Sequence, residues 1–316
     1  MRYQLRYTPN LKQVAKYNAR RLETSMIRTK PILLMLLLLF AACAPVGAPL
    51  PPSALPASTR TNLPATATSL PILTAAAPAC RETVGAIDAG VIETDLLDKP
   101  MRYCVYLPPC YAADAETRYP VLYLLHGQSF DETQWLRIGL AGEMDTLLAA
   151  AEIPRFVVVL PFDYSYKQPT QYPFEEVFIK LLLPKIKQDY RLRPGRASAA
   201  IGGLSRGGAW ALYLGSRHPD LFGFIGAHSP ALFYADMGAF PLRLRDLPDG
   251  QKPLFYLDAG DNDPDLDLIQ QVVTLIDSQN LEYEWHYNLG FHNEAYWSAH
   301  LADYLRWYGD NFRNRQ

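Results

Sequence analysis

The chain has 316 residues, 49% of them hydrophobic, with a formal net charge of −2 and four cysteines. Its Lys and Arg residues are scattered rather than clustered, so the charge supplies neither a basic face for nucleic acid nor an acidic field for cations. No repeat recurs at a period of about 20 to 50 residues, which argues against solenoids and propellers.

The first element is the apolar run Ile32 to Ala42, preceded by Arg28 and Lys30 and followed directly by Cys43. It is shorter than the roughly 20 apolar residues that span a bilayer, and it suits the h-region of a secretory signal behind a positive n-region. The stretch Leu38-Leu39-Phe40-Ala41-Ala42-Cys43 resembles a bacterial lipobox, with Phe40 where leucine is usual. That resemblance implies export, lipidation of Cys43 and a membrane anchor on the extracytoplasmic side. Residues 1–25 precede a second candidate start at Met26. Residues 44–79 are mainly Ala, Pro, Ser, Thr and Leu, with Arg60 the only charge. Such a stretch has no period that would bury one face, and the expectation is a flexible tether. The division is therefore 1–43 signal region, 44–79 tether and 80–316 one folded domain.

Three cysteines lie in that domain, Cys80, Cys104 and Cys110. Cys104 sits within a strand-like run, while Cys80 and Cys110 flank the first hairpin at its loop ends. In an oxidising compartment the expected pair is Cys80 with Cys110, a staple rather than a redox centre.

From residue 85 onward strand-like and helix-like runs alternate, the pattern of βαβ units and a mostly parallel sheet. Val91 to Thr94 and Arg102 to Leu107 read as an opening antiparallel pair. Val121 to Leu125 and Phe156 to Leu160 are short apolar runs, as expected of strands covered on both faces. Ala199 to Leu204, Phe224 to Ala227, Leu254 to Leu257 and Tyr283 to Tyr287 continue the series. Helical spacing places Val177, Leu181, Leu182 and Ile186 on one side of Glu176 to Tyr190, and Ile269, Val272, Val273 and Ile276 on one side of Leu268 to Ile276. A last helix, Glu294 to Tyr308, has Gly309 as its expected stop.

Gly203-Leu204-Ser205-Arg206-Gly207 fits Gly-x-Ser-x-Gly, which a chain of this length shows by chance about one time in ten. Its position between a strand and a helix is the context of a nucleophile elbow, where a sharp turn holds the serine hydroxyl at the sheet edge. A serine hydroxyl needs a base. Of six histidines, His218, His286 and His300 lie where structural roles are expected. His228 follows a strand and could edge a pocket. His292 falls between the last strand and the last helix, which makes it the expected base. The acid should lie between them in chain order, where Asp261, Asp263 and Asp265 compete. Asp263 is favoured, although it is equally placed to cap the next helix ahead of Pro264. The oxyanion donors are expected to be the N–H groups of Arg206 and Gln128, with His126 fixing the latter's loop. Trp135, Asp163, Tyr164 and Tyr166 fall in loops expected to border a substrate pocket.

Together, Tyr106-Leu107-Pro108-Pro109, Tyr123-Leu124-Leu125-His126-Gly127, Trp135, Gly202 to Gly208, His218-Pro219-Asp220-Leu221-Phe222, Gly260 with Asp263, and His292 with Trp297 resemble the putative esterase family. That family includes esterase D, feruloyl esterases, enterochelin esterases and mycolyl transferases. The resemblance covers nearly all of residues 80–316 and implies an α/β-hydrolase fold, with Ser205, Asp263 and His292 as triad and Gln128 and Arg206 as oxyanion donors. Two departures stand out: Phe291 where glycine often precedes the family's histidine, and the extra acid Asp261. The implied activity is hydrolysis of a carbohydrate-linked, siderophore or small carboxylic ester, with no metal and no organic cofactor. Acyl transfer, as in the mycolyl transferases, and a catalytically silent binding lipoprotein are the other readings.

Overall fold

A computed structural model describes residues 80–314. The expected signal region, Cys43 and the tether lie outside the described residues. In chain order the elements are β1 (Ala86–Ile92), β2 (Met101–Leu107), β3 (Val121–Leu125), α1 (Gln134–Arg137), α2 (Leu140–Ala149) and β4 (Val157–Pro161). Next come α3 (Phe174–Val177), a π turn (Phe178–Leu182), α4 (Leu183–Asp189), β5 (Ala199–Leu204), α5 (Arg206–Arg217) and β6 (Phe224–His228). The chain ends with α6 (Phe240–Arg245), β7 (Leu254–Asn262), α7 (Leu266–Ser278), β8 (Tyr283–Phe291) and α8 (Glu294–Asn314).

The strands form one eight-stranded sheet in the order β1-β2-β4-β3-β5-β6-β7-β8. The β1/β2 and β2/β4 pairings are antiparallel and the remaining pairings parallel. Alternation along β3 explains why its whole run is apolar: Val121, Tyr123 and Leu125 face one core, Leu122 and Leu124 the other. The first core receives Phe174, Phe178 and Ile186 from the α3–α4 segment, Trp210 and Leu214 from α5, and Val272 and Ile276 from α7. The second receives Leu140 and Met144 from α2, and Leu301, Leu305 and Phe312 from α8. Cys80 and Cys110 are disulfide-bonded, Cα to Cα 5.7 Å, so the chain entering β1 is tied to the loop after β2.

Several expectations need correction. The opening strand, expected over Val91 to Thr94, lies earlier, at Ala86–Ile92, where it pairs with all of β2. The helix expected over Glu176 to Tyr190 begins earlier, at Phe174, and passes through a π turn before continuing to Asp189. Pro184 lacks an amide hydrogen for the fourth residue back, and the wider turn absorbs that loss. Gly309 does not end the last helix, which runs on to Asn314. It is a contact residue instead: a Cβ there would stand 2.8 Å from Ile153 Cγ2.

Glu175 of α3 clamps the far end of α5. It accepts hydrogen bonds from His218 Nε2 at 2.7 Å, Arg217 Nε at 2.8 Å and Tyr213 OH at 3.1 Å. Burial pushes its carboxyl up, but the hydrogen bonds from His218 and Arg217 outweigh that and hold it at about 2, below the ordinary 4.5. A carboxylate depressed by folding contributes stability above its unfolded pKa and loses it as pH falls through the folded one. Stability from urea unfolding should therefore decline between pH 4.5 and about 2. Glu175→Gln should remove roughly 2 to 3 kcal/mol of that decline. Equal acid slopes in the two proteins would refute this assignment.

Candidate active site

Ser205 occupies the turn between β5 and α5 with φ 53° and ψ −121°, a conformation that costs strain in any residue with a side chain. The turn is over-determined by backbone bonds. Ser205 N donates to His228 O at 2.9 Å, and Ser205 O accepts from Ala209 N at 3.1 Å and Ala231 N at 3.0 Å. The two motif glycines are required by close approach: a Cβ on Gly203 would lie 2.4 Å from Gly207 C, and one on Gly207 would lie 2.3 Å from Leu125 O.

His292 directly follows β8, which extends to Phe291 rather than ending in a loop at Tyr287. Its Nε2 lies 2.8 Å from Ser205 Oγ and its Nδ1 3.0 Å from Asp263 Oδ2. Asp263 is buried, and its other carboxylate oxygen accepts from Asp265 N at 2.9 Å. Burial alone would raise its pKa. The hydrogen bonds from His292 and the Asp265 amide reverse this and hold the carboxyl below its ordinary value. The competing role as helix cap falls away, because α7 starts at Leu266 with Asp265 in the cap position.

Asp261 has a different task. It accepts from Gly290 N at 2.8 Å, across the irregularity where β7 and β8 shift register between Gly260 and Asn262. Ligand atoms of Asp263, Asp265 and His292 lie within 4.8 Å of one another. Both imidazole nitrogens are already engaged, however, so this arrangement offers an ion no histidine lone pair.

The loop after β3 reaches the nucleophile: the position of a Cβ on Gly127 would be 3.5 Å from Ser205 Cβ. His126 fixes that loop. Its Nε2 accepts from Asp163 N at 2.9 Å, which leaves Nδ1 to donate to Gly127 O at 2.7 Å, and burial lowers its pKa and keeps the ring neutral. Gly127 N donates to Gln134 Oε1 at 2.8 Å. The amides of Gln128 and Arg206, at the tip of this loop and the first position of α5, have no backbone acceptor among the described residues.

Three of the expected pocket residues are placed otherwise. Trp135 is 1% exposed and donates to Leu125 O at 2.9 Å, so it supports the β3 loop from beneath. Asp163 is buried and accepts from Arg206 Nε and Trp210 Nε1, both at 2.7 Å. It anchors the residue after Ser205 rather than facing a ligand. His228 has no exposed surface: its ring bonds Asp258 at 3.0 Å and Tyr308 OH at 3.2 Å, and only its carbonyl touches the Ser205 turn. Tyr164 and Tyr166 are exposed, and Tyr166 OH donates to Ser129 Oγ at 3.2 Å beside Gln128. Sequence reasoning missed Gln134, Asp258 and the Asp163 anchor, whose partners stand far away in the chain.

Comparison with known proteins supplies the kinship. The family model described as Putative esterase matches residues 94–308. An endo-1,4-beta-xylanase/feruloyl esterase of Xylanibacter ruminicola is 35% identical over 133 residues, 39% of this chain and 18% of that protein. An uncharacterized protein of Corynebacterium glutamicum is 27% identical over 139 residues, 40% of this chain and 33% of its own. The chain thus spans a third or less of the length of these curated relatives. Among solved structures, a ferulic acid esterase superposes with TM-score 0.65 at 24% identity, covering 72% of this chain and 99% of that one. A ferulic acid esterase of Anaeromyces mucronatus, solved with ferulic acid, gives TM-score 0.60 at 21% identity, covering 71% and 90%. An S-formylglutathione hydrolase of Staphylococcus aureus gives 0.58 at 17%, covering 71% and 98%. These likenesses establish the α/β-hydrolase fold. With the family model spanning most of the described residues, the chain belongs to the putative esterase family.

Proposed function

We propose that the chain is a serine esterase that hydrolyses a carboxylic ester through an acyl-enzyme. The observation that carries this reading is the single imidazole bridging Ser205 Oγ at 2.8 Å and Asp263 Oδ2 at 3.0 Å. In this mechanism Ser205 Oγ attacks the ester carbonyl while its proton passes to His292 Nε2. Asp263 holds the ring in the tautomer that can accept that proton and stabilises the resulting imidazolium. The amides of Arg206 and Gln128 receive the oxyanion, and His292 then protonates the departing alcohol. Water, activated by His292 in turn, releases the acid and restores Ser205.

The relatives' names favour a feruloyl ester as the first substrate to test. The exposed rings of Phe130, Tyr166 and Phe291, adjacent in sequence or by contact to the oxyanion loop and His292, could stack on an aryl acyl group. Export and a lipid anchor at Cys43 belong to the same proposal, since an anchored esterase would meet extracytoplasmic esters.

A fluorophosphonate probe should label the protein, and Ser205→Ala should abolish the labelling. Persistent labelling of the variant would overturn the nucleophile assignment. A panel varying acyl and alcohol portions, with an added alcohol acceptor, distinguishes hydrolysis from acyl transfer by the product formed.

A further inference from the structure

The proposed mechanism leaves a cavity of about 400 Å3 unused. It opens at the edge of the sheet opposite Ser205, where Val121 and Ala199 begin β3 and β5. Its floor includes the apolar side chains of Val121, Leu183, Leu192 and Phe222. Tyr123 also lines it, 1% exposed and packed edge-on against Phe178 and Phe222, and its hydroxyl has no hydrogen-bond partner. A buried hydroxyl left unpaired carries a desolvation penalty that a ligand oxygen relieves.

Cations crowd the lining. Arg118, Lys187, Arg193 and Arg196 face a single carboxylate, Asp220. Arg118 and Arg193 are forced together by the backbone, because Tyr119 N donates to Arg191 O at 2.9 Å and Arg193 N to Tyr119 O at 2.8 Å. Arg193 Nε then donates to Arg118 O at 3.0 Å. Neither of these arginines nor Lys187 has an ion-pair partner among the described residues. Arg196 is fixed by the carbonyls of Pro219, Phe222 and Gln251 at 2.6, 3.1 and 2.8 Å. Like charges held side by side over an apolar floor, with an orphaned hydroxyl within it, form a receptor with a defined complement.

We propose that this cavity binds an amphiphilic carboxylate: an anionic head between Arg118, Lys187 and Arg193, and an apolar body on the floor carrying an oxygen that pairs with Tyr123. The site is independent of the Ser205 reading. The test is calorimetric titration of the full chain, with Ser205 first blocked by fluorophosphonate, using ferulate, cinnamate, methyl ferulate and inorganic phosphate as probes. Ferulate should bind, with methyl ferulate and phosphate each weaker by about tenfold or more, because each lacks one half of the recognition. Cinnamate, without ring oxygens, should bind several-fold more weakly than ferulate, and Tyr123→Phe should erase that difference.

The double variant Arg118→Glu/Arg193→Glu should weaken ferulate at least about tenfold. Lys187→Glu, at an exposed position of α4, provides the same test should the double variant fail to fold. Equal binding of methyl ferulate and ferulate, or undiminished binding in the folded charge variants, would overturn the proposal. A protein that fluorophosphonate does not label would sink the Ser205 reading alone, because the charge variants still report on this cavity.

Discussion

His292→Ala should lower kcat/KM on a nitrophenyl ester by about six orders of magnitude. Among the described residues the imidazole is the one group within hydrogen-bond reach of Ser205 Oγ that can take its proton, and the variant removes that base. Asp263→Asn should cost about four orders. Its amide can donate to the ring nitrogen that now receives no charge, so the proton settles on Nε2, where it blocks transfer from Ser205. Asp261→Asn should stay within about tenfold of the parent, since the asparagine oxygen can still accept from Gly290 N, the bond made at 2.8 Å. Steady-state kinetics on variants shown by circular dichroism to be folded would settle the order. A larger loss for Asp261→Asn than for Asp263→Asn would reverse the assignment of the acid.

The contrast between these two aspartates shows how far the sequence could be read. β3 and β5 were legible because strands covered on both faces need apolar residues throughout, and the motif positions Ser205, Asp263 and His292 follow from chain order at successive strand ends. β7 was read too short. Its apolar run stops at Leu257, yet the strand continues to Asn262 because the next residue, Asp258, is a fully buried carboxylate. Asp258 is satisfied by Tyr296 and Tyr304 at 2.7 Å and His228 at 3.0 Å, partners supplied by other elements. No local pattern announces such a network. The same holds for Gln134, which ties the β3 loop to Glu294 of α8 across 160 positions at 3.0 Å. Pro184 did carry a signal for the π turn. Its effect depends on whether the helix is worth continuing, and the burial of Leu183 and Ile186 decides that.

Asp163→Ala should destabilise the protein by about 3 to 5 kcal/mol in urea unfolding, the cost of leaving a buried charge without its partner. The Arg206 and Asp163 side chains are 5% and 4% exposed, and among the described residues the guanidinium bonds, apart from Asp163, only Lys167 O, at 2.8 Å, with the Phe233 ring 5.0 Å away. Removing both charges in Asp163→Ala/Arg206→Met should restore much of the loss, and a coupling below about 0.5 kcal/mol would show that the pair is not the link. A functional consequence follows from the connections of Asp163. Its carboxylate holds Arg206, whose amide is one proposed oxyanion donor, and its own amide orients His126, which fixes the loop carrying the other. Asp163→Ala and Asp163→Asn both keep the backbone bond to His126. Ala removes every side-chain acceptor, whereas Asn keeps one oxygen in place of the two that accept from Ser165 N, Arg206 and Trp210, so these variants probe the carboxylate's connection to Arg206. If the Arg206 donor depends on this carboxylate, Asp163→Ala lowers kcat with KM little changed, and Asp163→Asn gives a smaller loss in kcat. A variant that changes KM alone would instead place Asp163 in substrate binding, as the sequence first suggested.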